Sequence, residues 1–169
     1  MSALERAERA WASNFAGLSP VEIDERVRGF ATMVRAIAEY GVVSAERFAE
    51  SMGLGVSRAE ELFAELGRMG MQSDDAGNIV GAALTTRETP HRVRVAEKEL
   101  YAWCALDTLF IPGLLGETAD VESLCPISGE AIRLRVTPGS VESCDPSDAW
   151  LSVFLPGGSS RQTGPASPT

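Results

Sequence analysis

The sequence has little positive charge, a single histidine, three cysteines and no long apolar run. These shortages argue against several classes of protein. Its 15 Lys and Arg residues against 24 Asp and Glu residues leave a net charge of -9. Because such a surface repels nucleic-acid phosphates, nucleic acid is not an expected partner. No stretch approaches the roughly 20 apolar residues of a membrane span, so no membrane association is expected.

The N-terminus and the cysteines indicate the compartment. Met-Ser-Ala-Leu-Glu-Arg-Ala-Glu-Arg mixes charges at helical spacing and lacks the apolar segment of a secretory signal, so a cytoplasmic location is expected. The cysteines, Cys104, Cys125 and Cys144, are odd in number and widely spaced. In a cytosolic chain this pattern predicts reduced thiols rather than a disulfide framework.

The first half of the chain is predicted to be mostly helical. Apolar residues at helical spacing predict a leading amphipathic helix over residues 1–18, followed by a winged-helix-like domain over residues 19–89. The predicted elements of that domain are a helix over 20–41 capped by Ser19 and Glu22, a short helix over 45–52 opened by Ser44, a third helix begun by a Ser57–Glu60 capping box, and two short strands within 71–86.

The charges of this domain argue against a DNA-binding role. The predicted recognition helix and the tip of the wing are acidic overall, with Arg58 and Arg68 set against Glu60, Glu61, Glu65, Asp74 and Asp75. We therefore expect the helices to serve as a packing module or lid, and a winged-helix transcriptional regulator is the least favoured function.

The second half is predicted to be an α+β core over residues 90–155, with a disordered polar tail over 156–169. The predicted elements are a strand over 92–95, a helix that carries Cys104 and stops at Pro112, and strands over 118–123, 131–136 and 149–155. The fold class is thus α+β: an N-terminal winged-helix-like helical module followed by a mixed core of antiparallel strands and one central helix.

The pair Cys104 and Asp107 is the strongest candidate for chemistry. The two residues are three apart, so a helix would place them on one face, and the apolar surroundings predict that they line a pocket. A thiolate binds soft electrophiles and metals, and a carboxyl group can deliver a proton. Two other interpretations stay open: Cys104 as a small buried hydrophobe, and Asp107 as a loop cap or a partner of Arg87 or Arg92.

The remaining candidate residues have simpler interpretations. Cys125 joins two predicted strands and is interpreted as structural, because its Cys-Pro-x-x-Gly context is only half of a zinc knuckle. Cys144 lies in a predicted polar turn. His91, the single histidine, follows Pro90 and is interpreted as a surface residue rather than a ligand or base.

The run Leu-Tyr-Ala-Trp-Cys-Ala-Leu-Asp-Thr-Leu at residues 100–109 resembles the bacterial organomercurial lyase (alkylmercury lyase) family. The upstream stretches Leu-Thr-Thr-Arg-Glu-Thr at 84–89 and Gly-Asn-Ile at 77–79 agree with that resemblance, which extends more loosely over residues 20–155. The resemblance implies cleavage of a carbon–mercury bond, with Cys104 binding mercury and Asp107 delivering a proton to the leaving carbon.

The resemblance also implies the partners. The substrates would be small organomercurials, and the products a hydrocarbon and protein-bound Hg(II), which cellular thiols or a mercuric reductase would accept. No cofactor is expected to be required, although external thiols are. Soft Hg(II) prefers thiolate ligands, which agrees with these assignments.

The family carries a second catalytic cysteine near its C-terminal end, and the present sequence has no cysteine after Cys144. We therefore expect a C-terminally shortened member in which Cys144, Cys125 or a solvent thiol supplies the second sulfur. Cys144 is otherwise an incidental surface thiol. The alternatives are a non-catalytic thiol protein that binds or senses mercury or another soft metal, and a shortened inactive homologue.

Overall fold

The computed structural model describes residues 19–152, which form an α+β fold of four helices and one antiparallel sheet. The helices are α1 (Pro20–Tyr40), α2 (Ala45–Met52), α3 (Val56–Arg68) and α4 (Asp107–Leu115). The strands are β1 (Gln72–Ser73), β2 (Ile79–Ala82), β3 (Leu84–Thr85), β4 (His91–Val95), β5 (Lys98–Ala102), β6 (Ala119–Leu124), β7 (Ala131–Val136) and β8 (Val141–Asp145). The predicted leading helix and the predicted disordered tail lie outside the described residues.

The first two helices begin where their caps predict. The Glu22 carboxylate accepts hydrogen bonds from the backbone N–H and the hydroxyl of Ser19, at 2.8 and 2.7 Å, which confirms the predicted capping box. Ser44 caps α2 by accepting from the backbone N–H of Arg47. The third prediction is wrong, because Gly55 precedes the first residue of α3 and Ser57 lies inside the helix.

All eight strands belong to one sheet in the order β1-β2-β3-β5-β4-β6-β7-β8. The strands predicted as a wing are therefore continuous with those of the predicted core, and residues 24–151 form one compact unit. The domain boundary proposed between residues 89 and 90 stays a prediction. Within the described residues, no helix has the length and apolar character needed to cross a membrane.

The segment around Cys104 differs from the prediction. Residues 98–102 are strand β5, Cys104 lies in the following turn, and α4 begins only at Asp107. Pro112 does not stop this helix, which ends at Leu115 ahead of Gly116.

The last strand was also misplaced. Residues 149–152 are not in a strand, and the rest of the predicted strand at 153–155 lies outside the described residues. The edge strand is instead β8, and it includes Cys144, which the sequence placed in a turn. Strand β8 is an exposed edge strand of mostly polar residues. It therefore lacks the alternating apolar pattern by which a strand is predicted from sequence.

The apolar face of the sheet carries the core. Helix α4 packs on this face against β4 and β7. The largest fully buried side chains come from every part of the unit, namely Met33, Val34, Ile37, Val43, Phe48, Leu62, Leu66, Ile79, Leu84, Val93, Ile111 and Val136. The turn after β5 thus leaves an interior strand of the sheet and enters a helix anchored in the core.

The opposite face of the sheet alternates in charge from strand to strand. Acidic residues lie on β5, β6 and β8, and arginines lie on β4 and β7. The contacts include Arg135 to Asp120 at 2.8 Å and Arg133 to Glu122 at 3.1 Å. These pairs are exposed, so each contributes only about 0.2–1 kcal/mol.

Candidate active site

The backbone around Trp103 fixes the direction in which the chain leaves β5. The Trp103 N–H donates to the carbonyl of Ala83 at 3.0 Å, just beyond the pairing of β3 with β5. The Trp103 ring lies against Gly81, where an added Cβ would come within 3.1 Å of the indole Cζ2. Gly81 therefore leaves space for the indole, and the next residue, Cys104, is exposed.

Cys104 and Asp107 are joined by two hydrogen bonds across one turn. The Cys104 N–H donates to Oδ2 of Asp107 at 3.0 Å, and the Asp107 N–H donates to the Cys104 carbonyl at 3.1 Å. The contact resembles the acidic half of a capping box, because a carboxylate in the first helical turn reaches back to a free N–H, although Leu106 and not Cys104 is the N-cap residue. Asp107 is thereby held at the start of α4 with its carboxyl group turned towards Cys104.

The Cys104 thiol is in a mixed electrostatic environment. Partial desolvation of the sulfur raises its pKa above the ordinary value although the residue is exposed, and the neighbouring Asp107 carboxylate raises it further. The backbone N–H groups of Leu106 and Asp107 act in the opposite direction by donating to the thiolate. The thiol thus keeps its proton next to a carboxylate that can accept it.

Burial also raises the pKa of Asp107. Hydrogen bonds from Cys104 and the charge of His91 oppose that increase without cancelling it. A carboxyl group whose pKa is raised holds a proton at higher pH than a free aspartate, which suits a general acid. The sequence-based alternative of an ion pair with Arg87 or Arg92 is wrong, because Arg92 pairs with Glu99 and no ion pair joins Asp107 to either arginine within residues 19–152.

His91 is a neighbour that the sequence analysis missed. It is half-buried on the apolar face of β4, and its Nδ1 lies 3.0 Å from the hydroxyl of buried Ser123 on β6. The charge of Asp107 acts on the imidazole and favours its protonated form, but burial outweighs this and lowers the pKa of His91. His91 is thus partly buried rather than fully exposed, and the interpretation that it is neither a ligand nor a base stays a prediction.

Cys125 lies in the connection from β6 to β7 and is half-buried. Its N–H donates to the carbonyl of Glu130, and its own carbonyl accepts from the N–H of Gly129. The Ser128 side chain, followed by the backbone N–H groups of Ser128 and Ile127, lowers the pKa of the Cys125 thiol. The Ser128 hydroxyl itself donates to Oε2 of Glu130 at 3.0 Å. The backbone pattern agrees with a structural knuckle, although the thiol is also activated.

Cys144 lies on β8 opposite Leu134, and its thiol donates to the carbonyl of Pro146 at 3.1 Å. Within residues 19–152, no hydrogen bond connects Cys144 or Cys125 to Cys104 or Asp107, and no group of three or more His, Cys, Asp or Glu side chains is placed to hold a metal ion. The structure thus joins Cys104 to Asp107 by hydrogen bonds and shows no such link to the other two thiols within residues 19–152.

The expected pocket does not coincide with two hollows of the described surface. One, of about 430 Å³, lies on the charged outer face of the sheet, and another, of about 400 Å³, lies beside α4 against the connection from β7 to β8. Neither is lined by Cys104 or Asp107. The Cys104 turn is instead an exposed site with the half-buried carboxyl group behind it.

Fold and site together define an α+β protein in which a thiol and a carboxyl group meet at a helix N-terminus. Residues 84–164 match the family model for alkylmercury lyase. Alkylmercury lyases from Staphylococcus epidermidis and Bacillus cereus are 39% and 38% identical to the chain over 127 residues, which is 75% of its length. The enzyme from Streptomyces lividans is 35% identical over 124 residues.

The chain is thus similar in sequence to the alkylmercury lyases over much of its length. The chain spans 58% and 57% of the lengths of the first two relatives. Its fold is similar to the crystal structure of the mercury-bound form of MerB2, with a TM-score of 0.66 and 23% identity, over 85% of this chain and 68% of that one. At that identity the structural likeness supports the fold.

Proposed function

We propose that this protein cleaves carbon–mercury bonds of small organomercurials by protonolysis, with Cys104 as the mercury-binding thiolate and Asp107 as the proton donor. The carrying observation is the contact between the Cys104 turn and the Asp107 carboxylate, at 3.0 Å from N–H to Oδ2. The contact lies within the stretch that matches the family, and relatives at 35–39% identity are named alkylmercury lyases.

One proton accounts for the proposed reaction. As the Cys104 sulfur binds the mercury of R–Hg⁺, its thiol proton passes to the adjacent Asp107 carboxylate. Asp107 then gives that proton to the carbon, which keeps the electron pair of the broken carbon–mercury bond. The products are R–H and Hg(II) on the Cys104 sulfur, and Asp107 returns to its carboxylate form. The raised pKa values of both groups suit them to hold this proton in turn.

A second thiolate is needed to hold Hg(II), which prefers two or more soft sulfur ligands. Because no hydrogen bond joins Cys125 or Cys144 to Cys104 or Asp107 within residues 19–152, we propose that an external thiol takes this role. Cellular thiols or a mercuric reductase would then accept the metal. A reducing compartment such as the cytoplasm suits this chemistry, because Cys104 must stay reduced. No organic cofactor enters the reaction.

The proposal is tested by incubating the reduced protein with a phenylmercury salt and excess thiol and measuring benzene. We expect benzene from the wild type and none from Cys104→Ser. Asp107→Ala should lower the rate by on the order of a hundredfold or more, because it removes the general acid. Cys125→Ser and Cys144→Ser are the matched controls, and wild-type rates in both would assign the second sulfur to the external thiol.

A non-catalytic mercury-binding protein is the second candidate, favoured by the exposure of Cys104. It would take up mercury without releasing hydrocarbon. Asp107→Ala would then bind mercury as the wild type does. Stoichiometric uptake with no benzene from the wild type would replace the lyase proposal with this one.

A further inference from the structure

Both polar groups of the peptide unit that enters the Cys104 turn are hydrogen-bonded. This entry peptide joins Ala102, the last residue of β5, to Trp103. Its carbonyl oxygen accepts from the hydroxyl of Thr89 at 2.6 Å. Its N–H donates to the carbonyl of Ala83 at 3.0 Å. Because a peptide unit is planar and its C=O and N–H point in opposite directions, these two bonds fix its orientation and the direction in which the chain continues to Cys104.

Thr89 is placed for this contact by the end of strand β4. The register that pairs Arg92 with Tyr101 puts His91 next to Ala102. The half-buried hydroxyl of Thr89 accepts from the His91 N–H at 3.1 Å and donates to the Ala102 carbonyl. The competing acceptor, the His91 carbonyl, is 3.5 Å away, so the single hydroxyl proton is directed to the entry peptide.

Ala83 offers its carbonyl from a backbone conformation that alanine rarely adopts. It lies between β2 and β3, is 4% exposed and has a φ of 58°, in the left-handed region. That region crowds the Cβ against the carbonyl oxygen and is unfavourable for residues other than glycine. The tight β2–β3 connection therefore maintains a strained residue at the point where its carbonyl meets the entry peptide, and such strain is typical of functional sites.

We propose that Thr89 and Ala83 are positioning residues, which hold the entry peptide in one orientation and thereby set Cys104 for the transfer of its proton to the acid. The proposal rests on the proposed function, in which that proton passes to Asp107 and then to the carbon. Such a transfer tolerates little displacement, because reacting atoms must approach within about 3–3.5 Å. Both residues act through the backbone and not by contact with the reacting atoms.

Thr89 is tested by removing its hydroxyl while keeping its shape. Thr89→Val deletes the donor, and Thr89→Ser keeps it. In protein loaded with phenylmercury, we expect Thr89→Val to lower the single-turnover rate of benzene release about tenfold or more, and Thr89→Ser to keep most of the wild-type rate. Mercury uptake by Cys104 should stay stoichiometric in both, because the thiol is unchanged. A wild-type rate in Thr89→Val, or an equal loss in Thr89→Ser, would overturn the proposal.

Ala83 is tested by a change that should move stability and activity differently. Ala83→Gly removes the crowded Cβ, so the thermal midpoint should match or exceed that of the wild type. The carbonyl gains freedom, and the release rate should fall about threefold or more. Ala96→Gly is the matched control, since Ala96 has a φ of 50° in the exposed β4–β5 hairpin and should leave the rate unchanged. A wild-type rate in Ala83→Gly, or the same loss in Ala96→Gly, would contradict the role of Ala83.

A second readout needs no turnover. Amide hydrogen exchange, followed by NMR, compares the Cys104 N–H, which donates to Asp107, with the Cys125 N–H in the connection from β6 to β7. In Thr89→Val we expect exchange about tenfold faster at Cys104 and unchanged at Cys125. Equal acceleration at both amides would indicate a loss of overall stability and would overturn the positioning role, as would unchanged exchange at Cys104. If the wild type releases no benzene, the proposed function fails, whereas the exchange of Cys104 still decides whether Thr89 holds the turn.

Discussion

Asp107 illustrates how a functional group is kept at a cost in stability. Its carboxyl group is half-buried, and burial raises its pKa because the charged form loses hydration. An amide of the same shape would avoid this cost. The side chain that the proposed reaction needs is therefore not the one that the fold would prefer at neutral pH.

Asp107→Asn should accordingly stabilise the protein progressively as the pH rises. The folded protein holds the Asp107 proton more tightly than the unfolded chain, so this contribution to stability is complete below the unfolded pKa of about 3.9 and is lost as the pH rises through the higher folded pKa. Asparagine cannot ionise. In urea unfolding experiments, the free energy of unfolding of the variant should increase relative to that of the wild type as the pH rises from about 4 to 7. A constant difference across that range would contradict the assignment.

Cys125 should react more readily than Cys104, although Cys104 is the more exposed of the two thiols. Hydrogen bonds from Ser128 and its neighbours lower the pKa of Cys125, whereas burial raises that of Cys104. Because the thiolate is the reactive form, iodoacetamide should modify Cys125 at lower pH than Cys104. Mass spectrometry of the alkylated peptides over pH about 6 to 9 measures both. Ser128→Ala should move the pH dependence of Cys125 alkylation to higher pH. If Cys125 still reacts at lower pH than Cys104 but this shift is absent, Ser128 is not the cause of the lowered pKa.

At the scale of single elements, the helices were predictable and the strands around the site were not. Caps and apolar spacing located α1 and α2 within about a residue. Strand β5 was missed because its hairpin with β4 turns at Ala96 and Glu97, where Ala96 has a positive φ of 50° instead of the usual Asn-Gly signal. The register of that hairpin places His91 next to Ala102, two residues before Cys104, and the sequence analysis did not predict this neighbour.

The spacing of Cys104 and Asp107 led to the right pair for a partly wrong reason. A helix was assumed across both residues, and the structure has a turn whose hydrogen bonds bring the same two groups together. Three residues separate the members of a capping box as they do one face of a helix, so sequence spacing cannot distinguish the two.

The close approach of α1 to α3 gives a stability prediction. An added Cβ at Gly29 would lie 2.8 Å from Cδ1 of Leu66 and 3.3 Å from Cζ of Phe48. Gly29→Leu should therefore lower the free energy of unfolding by about 1–3 kcal/mol through overpacking. Gly67→Ala in α3 is the matched control, since its nearest neighbour would be Ile79 at 3.8 Å. Helix propensity should then raise stability by about 0.5–1 kcal/mol, as thermal or urea unfolding would show.

At the scale of the whole molecule, the net charge and the ion pairs both argue against nucleic acid as a partner. Arg58 of α3 lies 2.6 Å from Glu25 and also contacts Glu61 and Glu65. The arginine that a recognition helix would offer to phosphate is thus committed to carboxylates. Arg58 therefore forms an ion pair that joins α3 to α1 within the helical module.

The protein should not bind duplex DNA even at low ionic strength. Its net charge of -9 and the pairing of Arg58 with carboxylates both oppose the replacement of condensed counterions. An electrophoretic mobility assay in low salt, with a basic DNA-binding protein as positive control, should show no shifted band. A shift that disappears as salt is added would restore the regulator that the sequence analysis placed last.

The alternating charges on the outer sheet face also bear on how the strands find their places. Arg92 and Arg94 of β4, and Arg133 and Arg135 of β7, lie on this face, and the strand between them carries Asp120 and Glu122. If β6 slipped by two residues against either neighbour, opposite charges would still face each other. If β7 instead paired directly with β4, four guanidinium groups would lie side by side and repel one another. The exposed face therefore selects the neighbour of each strand, and the apolar face selects its alignment.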